Sequence, residues 1–378
     1  MRGLLRAALL ASTALTVIRL PAPARADDAT WLASPANGSY FNGANWSTGR
    51  WPDPNSMGFF GASTVTNLGL GAGTNTQPSG WTFNADASDY TFTNYGYLAF
   101  TGAGIVVNGG SVTITNSSVD GIYPSYLDFH VTSTAGSATI INNSNTISYF
   151  HNRSTAGNAT ITNSGNLYFN DTSTAGNATI TNNSILSFWG SSTGGNAAIT
   201  SNSGGTVDFS GTTGPNGDGR ISAGSIAGAG TYILGANELT IGSNNLSTAV
   251  SGVISGVGGS LVKVGTGTLT LSGNNTYSGS TTISDGALLV NGILGGNVSV
   301  QSGGTLGGNG TVGDVSVLSG GVLAGAQGQT LTMGTLTLAS GSNVNVALGA
   351  PGSTGLFNVG GDLTLGGTLN VANAGSFG

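Results

Sequence analysis

The chain has 378 residues, of which only 6% are charged and 67 are glycine; it has no cysteine, and its hydrophobic share is 38%. Disorder goes with low hydrophobicity and high net charge, whereas brief β-branched runs between glycine-rich turns read as many short strands, so composition excludes disorder and points to an all-β repeat protein. Once Arg2, Arg6, Arg19 and Arg25 leave with a leader, Arg50, Arg153, Arg220 and Lys263 face 14 acids, a net charge of −10, which excludes a grip on nucleic acid or an anionic bilayer.

Residues 1–26 read as a signal peptide. Arg2 and Arg6 precede an apolar run over 7–18, and Ala24-Arg25-Ala26 before Asp27 has the small-x-small form of a cleavage site. The run falls short of the ~20 residues a membrane span needs. Ala24, Ala26 and Asp27 are therefore the expected signal-peptidase site, and the chain is expected to be exported. Without cysteine, its stability must come from burial and backbone pairing alone, which suits passage across a bacterial outer membrane.

Residues 27–105 are expected to form N-terminal coils and a cap, and 106–258 a solenoid. Ser133-Thr134-Ala135-Gly136-Ser137-Ala138-Thr139-Ile140 returns at Ser154, Ser173 and, loosely, Ser192, with starts 21, 19 and 19 residues apart. A fixed period near 20 marks a stacked repeat. Apolar-x-aromatic triplets run in step, at 127–129, 147–149, 167–169, 186–188 and 207–209. Alternation turns the first and third residue of each triplet inward, so Phe129, Tyr149, Phe169 and Phe188 are expected to form an internal aromatic stack. Asn116, Asn142, Asn163 and Asn182, each two residues after a strand isoleucine, are expected to form an asparagine ladder that satisfies turn backbone groups. The fold class that follows is an elongated right-handed parallel β-helix, or β-solenoid, of about 17 turns and about 80 Å at the usual strand spacing.

Candidate chemistry is sparse. Aligned by coil, His151 falls beside Asp171, with Arg153 nearby, and His130 follows Asp128. A His–Asp pair could orient an imidazole as a base, but no serine stands out as a nucleophile, and surface hydrogen bonding is the favoured reading of both pairs. Asp128 and Asp208 share a register four coils apart, roughly 19 Å, whereas inverting carboxylates need about 6.5–9.5 Å. The sequence has no Arg-Gly-Asp and no Gly-Asp-Ser-x-Gly motif. Catalytic, cofactor and metal sites are all expected to be absent.

From 259 to 378 the pattern changes to Gly-Thr-Leu rungs. Leu261, Lys263, Gly265, Gly267, Thr268, Leu269, Leu271, Gly273, Asn275, Tyr277 and Gly279 follow the spacing Leu-x-Lys-x-Gly-x-Gly-Thr-Leu-x-Leu-x-Gly-x-Asn-x-Tyr-x-Gly. This stretch closely resembles the autotransporter-associated β-strand repeat of bacterial passenger domains. Trp31 and Asn45-Trp46-Ser47-Thr48-Gly49-Arg50-Trp51-Pro52 resemble the first coils of such passengers, and 331–378 the segment before their translocator.

The resemblance implies a surface-exposed or secreted passenger, a non-catalytic stalk or adhesion scaffold. It further implies a monomeric rod, a ligand on a host or neighbouring-cell surface, and an outer-membrane translocator barrel as transport partner. Segments with the alternation of barrel strands are not found in the chain, so either the chain is a fragment or truncated reading frame, or its transport partner lies elsewhere. The runner-up is a β-helix polysaccharide lyase or hydrolase.

Overall fold

Alternating strands of three to five residues can bury only every second side chain, so each must close on others around a shared interior. The computed structural model describes residues 27–52, 54–349, 352 and 354–375. Ala24 and Ala26 lie outside these residues, and Asp27 is exposed. The described chain is a parallel β-solenoid of about 15 turns. Among the described residues there is no α-helix, and the one short helical element is a 3-10 turn at Gly43–Asn45.

Three faces run along the solenoid. The first begins with Ala29–Thr30, Met57–Phe60, Gly80–Phe83 and Gly104–Val107. It narrows to single bridges at Thr134, Thr155, Thr174 and Thr193, then widens again from Arg220–Ala223 through Leu363–Thr364. The second carries the Ile-containing strands Val112–Asn116, Thr139–Asn142, Thr160–Asn163 and Thr179–Asn182. The third carries Ser125–Phe129, Thr146–Phe150, Asn166–Phe169 and Ile185–Gly190. Like residues stack in register, as in Ile140 over Ile114 and under Ile161.

The repeat Ser-Thr-Ala-Gly-x-Ala follows from this geometry. The alanines Ala135, Ala156 and Ala175 are fully buried at the narrowed face, where larger side chains would not fit between the other two sheets. Thr134, Thr155 and Thr174 accept through Oγ1 from the backbone N–H of Gly136, Gly157 and Gly176 at 2.9–3.0 Å. These glycines have φ of +60° to +62°, and a Cβ on any of them would collide with a carbonyl of the coil below, so the turn requires glycine.

The turn count is lower than expected because two stretches consume residues without adding a coil. One is the N-terminal plug, in which Trp31 and Tyr40 pack edge to face on Trp46, which in turn packs edge to face on Phe60 of the first face. Its indoles are satisfied by Val65 O and Tyr40 O at 2.9 and 2.8 Å. The other is the loop 117–124. At the far end, Leu363, Leu365, Leu369 and Val371 are 51–75% exposed.

The aromatic stack needs a correction. Phe129 pairs with Phe150, not Tyr149, and Phe150 pairs with Phe169. The internal column is Phe100, Phe129, Phe150, Phe169, Phe188 and Phe209, with centroids 4.6–5.2 Å apart. Tyr149 faces outward and stacks on Tyr168 at 5.1 Å. The turn after Asn142 is two residues longer than the turn after Asn163, so Ser148 takes the inward place that Leu167 holds one coil on. Buried Ser148 is satisfied by Asn142 Oδ1 at 2.9 Å.

Candidate functional site

The buried polar elements of the coils are ladders. Asn94, Asn116, Asn142, Asn163 and Asn182 are 0% exposed. Each Nδ2 donates to the next Oδ1 at 2.8–3.0 Å, from Asn94 through Asn163. The second N–H of each amide reaches a turn carbonyl, for example Asn166 O from Asn142 and Ile185 O from Asn163. Asn94, the first rung, was not anticipated; it follows Phe92 by two residues where the later rungs follow an isoleucine.

The repeat at 261–279 is also structural. Lys263 is 1% exposed, and its Nζ donates to Val264 O and Gly265 O at 2.8 Å and to Asp285 O at 3.2 Å. Burial lowers its pKa, an effect that Asp285 partly opposes. Asn275 accepts from Ile254 N–H at 3.0 Å and donates to Ile293 O at 3.1 Å, tying three coils together. Tyr277 is buried and shares a 2.6 Å hydrogen bond with Thr281. Leu269 and Leu271 point into the core, and Thr268 N–H donates to Ser247 Oγ at 3.1 Å. At Gly265, Gly267, Gly273 and Gly279, a Cβ would strike backbone of the preceding coil.

The titratable groups arrange differently from the expected pairing. Asp171 accepts from the backbone N–H and side chain of Asn152 at 2.8 and 3.2 Å, so it caps a turn and does not orient His151. His151 follows Phe150 by one residue, as His130 follows Phe129, and the two imidazoles stack with centroids 4.8 Å apart and planes 14° from parallel. Tyr149 covers His151 from the other side at 4.9 Å. His130 Nε2 lies 3.7 Å from Asp128 Oδ2 and 3.4 Å from the Tyr97 hydroxyl. His151 Nδ1 lies 3.4 Å from the Asn170 side-chain amide.

Asp128 sits on the outward side of its strand yet is only 5% exposed, and its Oδ1 has no hydrogen-bond partner. Candidate ligand atoms of Asp128, His130 and His151 all lie within 4.8 Å of one another. Burial lowers the pKa of His151, with repulsion from His130 adding to the effect against the pull of Asp128 and Asp171. Burial raises the Tyr97 pKa, and neighbouring Asp128 raises it further. The third acid, Asp208, accepts from Ser210 N–H two residues on at 2.8 Å, four coils from Asp128.

The loop 117–124 stands beside this cluster. Val119, Ile122 and Tyr123 are 63–74% exposed; Val119 and Tyr123 line a groove with 72–75, Tyr95, Tyr97 and Tyr126, and Ile122 borders a second one with 144–147 and 164–166.

A family model described as the passenger-associated-transport-repeat matches residues 261–290. Compared with curated proteins and with solved structures, the chain gives no match. A β-solenoid bearing this repeat supports an autotransporter passenger with β-strand repeats. The repeat implies an exported, cell-surface or secreted protein.

Proposed function

We propose that this chain is a non-catalytic passenger rod that holds an adhesive surface away from the cell. The observation that carries this reading is the loop 117–124, which puts exposed Ile122 and Tyr123 next to outward tyrosines on a shaft rich in outward Thr, Ser and Asn. In such a solenoid each coil contacts only its neighbours, so a loop can be elaborated without disturbing the shaft. The sparse cations and net acidity disfavour an anionic partner. Aromatic rings beside hydroxyl and amide groups suit a neutral glycan on a host or neighbouring cell. A polysaccharide-cleaving role is less well supported, since Asp128, Asp171 and Asp208 do not converge and two of them cap turns.

The test is adhesion of cells displaying the chain, compared with cells displaying the Ile122→Ser/Tyr123→Ser variant at equal surface density. The reading predicts several-fold weaker adhesion for the variant. Equal adhesion, or release of cleaved glycan by the unaltered chain, would contradict it.

A further inference from the structure

We propose that Asp128, His130 and His151 form a binding site for a divalent transition cation of the zinc class, bridging two adjacent coils of the third face. The chain has only two histidines. Both occupy the same position of successive coils, one residue beyond the phenylalanine column, and Asp128, the one nearly buried acid among the described residues, lies beside them. The same outward register is filled by Ala99, Tyr149 and Tyr168 in neighbouring coils, so the fold itself does not require a carboxylate there.

A buried carboxylate is costly unless it is paired and hydrogen-bonded. Asp128 has one oxygen 3.7 Å from His130 Nε2 and the other without any partner. That deficit is what a cation would remove. Two imidazoles and a carboxylate are a donor set for zinc, copper or nickel, whereas calcium and magnesium prefer all-oxygen shells. Ligand atoms around a tetrahedral zinc stand about 3.4 Å apart, given bonds of roughly 2.0–2.2 Å. Closing from the present spread of 4.8 Å or less requires the two imidazoles, now stacked 14° from parallel, to turn about χ2 so that their in-plane lone pairs converge on the ion with the Asp128 carboxylate.

The surroundings also match a metal site. Ligating histidines are held by a partner on the other ring nitrogen, and Asn170 stands 3.4 Å from His151 Nδ1. Its amide presents either a donor or an acceptor after a half-turn. The Tyr97 hydroxyl stands next to His130 and Asp128, where it can hydrogen-bond to the carboxylate. Three protein ligands leave a fourth position toward solvent, so the bound ion would both staple the coils 125–131 and 146–152 and offer an open coordination place to a partner.

The experiment is calorimetric titration of the tag-free chain with zinc chloride, repeated with magnesium and calcium chloride. The expected result is one zinc per chain at micromolar or tighter affinity, no comparable magnesium or calcium binding, and a rise in unfolding temperature with zinc. His130→Asn and His151→Asn should each weaken zinc binding at least tenfold, with unchanged far-ultraviolet circular dichroism confirming the fold. Cobalt substituted for zinc should give visible absorption bands that His151→Asn removes, a readout that a merely structural role of His151 would not produce. No zinc binding by the unaltered chain, or binding that survives both histidine variants, would overturn the proposal.

Discussion

Phe129 and Phe150 lie face to face, their centroids 4.6 Å apart and their planes 3° from parallel, although Tyr149 is the residue whose spacing suggests that place. Strand side chains alternate with a period of two, so a slip of one residue exchanges core and surface. The consequence is sharply testable. Phe150→Ala should cost about 3–5 kcal/mol in denaturant unfolding, whereas Tyr149→Ala should cost roughly 1 kcal/mol or less, as surface changes do.

The same slip explains what was hidden at the candidate site. Aligning coils on Tyr149 pairs His151 with Asp171; aligning them on Phe150 places His151 over His130 and Asn152 beside Asp171. The coil architecture was readable because Gly, Asn and Ile recur at constant offsets. The register of 146–150 was not, because Thr146-Ile147-Ser148-Tyr149-Phe150 alternates plausibly in either phase and a polar Ser148 takes an inward place. The partnering of Ser148 by Asn142 Oδ1, which makes that place tolerable, is a contact between separate strands and leaves no local mark in sequence.

Asn142 makes the densest contacts of the buried ladder. Its Oδ1 accepts from Asn116 Nδ2, Thr146 Oγ1 and Ser148 Oγ at 3.0, 2.7 and 2.9 Å. Asn142→Ala leaves several of these groups buried without partners, at about 1–3 kcal/mol each, and thermal unfolding should show a loss of roughly 3 kcal/mol or more. Asn177, in a parallel but exposed asparagine ladder, should be replaceable by Ala within about 0.5 kcal/mol.

Val131 has φ of +58° and is 52% exposed. A β-branched residue in the left-handed region is strained by roughly 1–2 kcal/mol, and the equivalent turn position one coil on is held by Asn152, also at positive φ. Val131→Asn should therefore raise stability by about 1 kcal/mol. Urea unfolding of the two chains, with the slope unchanged, is the check.

Burial raises the pKa of Tyr277, partly offset by its hydrogen bond to Thr281. The folded chain thus holds this proton above the pH at which the unfolded chain releases it. The resulting stability is fully present below the unfolded value of about 10 and is lost as pH climbs beyond it. Tyr277→Phe should be somewhat less stable at neutral pH, since Thr281 loses its partner, yet should show a shallower decline above pH ~10. Melting temperatures collected from pH 7 to 11 distinguish the two profiles.

The central claim is that successive coils stack in register, and the absence of cysteine allows a direct test by paired cysteine substitution. Thr160 and Thr179 are outward partners in adjacent coils, at a Cα separation of about 4.8 Å that a disulfide can span. Thr160 and Thr181 are offset by two residues and stand about 8 Å apart, beyond that reach. Under mild oxidation Thr160→Cys/Thr179→Cys should close its disulfide nearly completely and Thr160→Cys/Thr181→Cys should not. Equal closure in both, or the reverse preference, would contradict the solenoid described here.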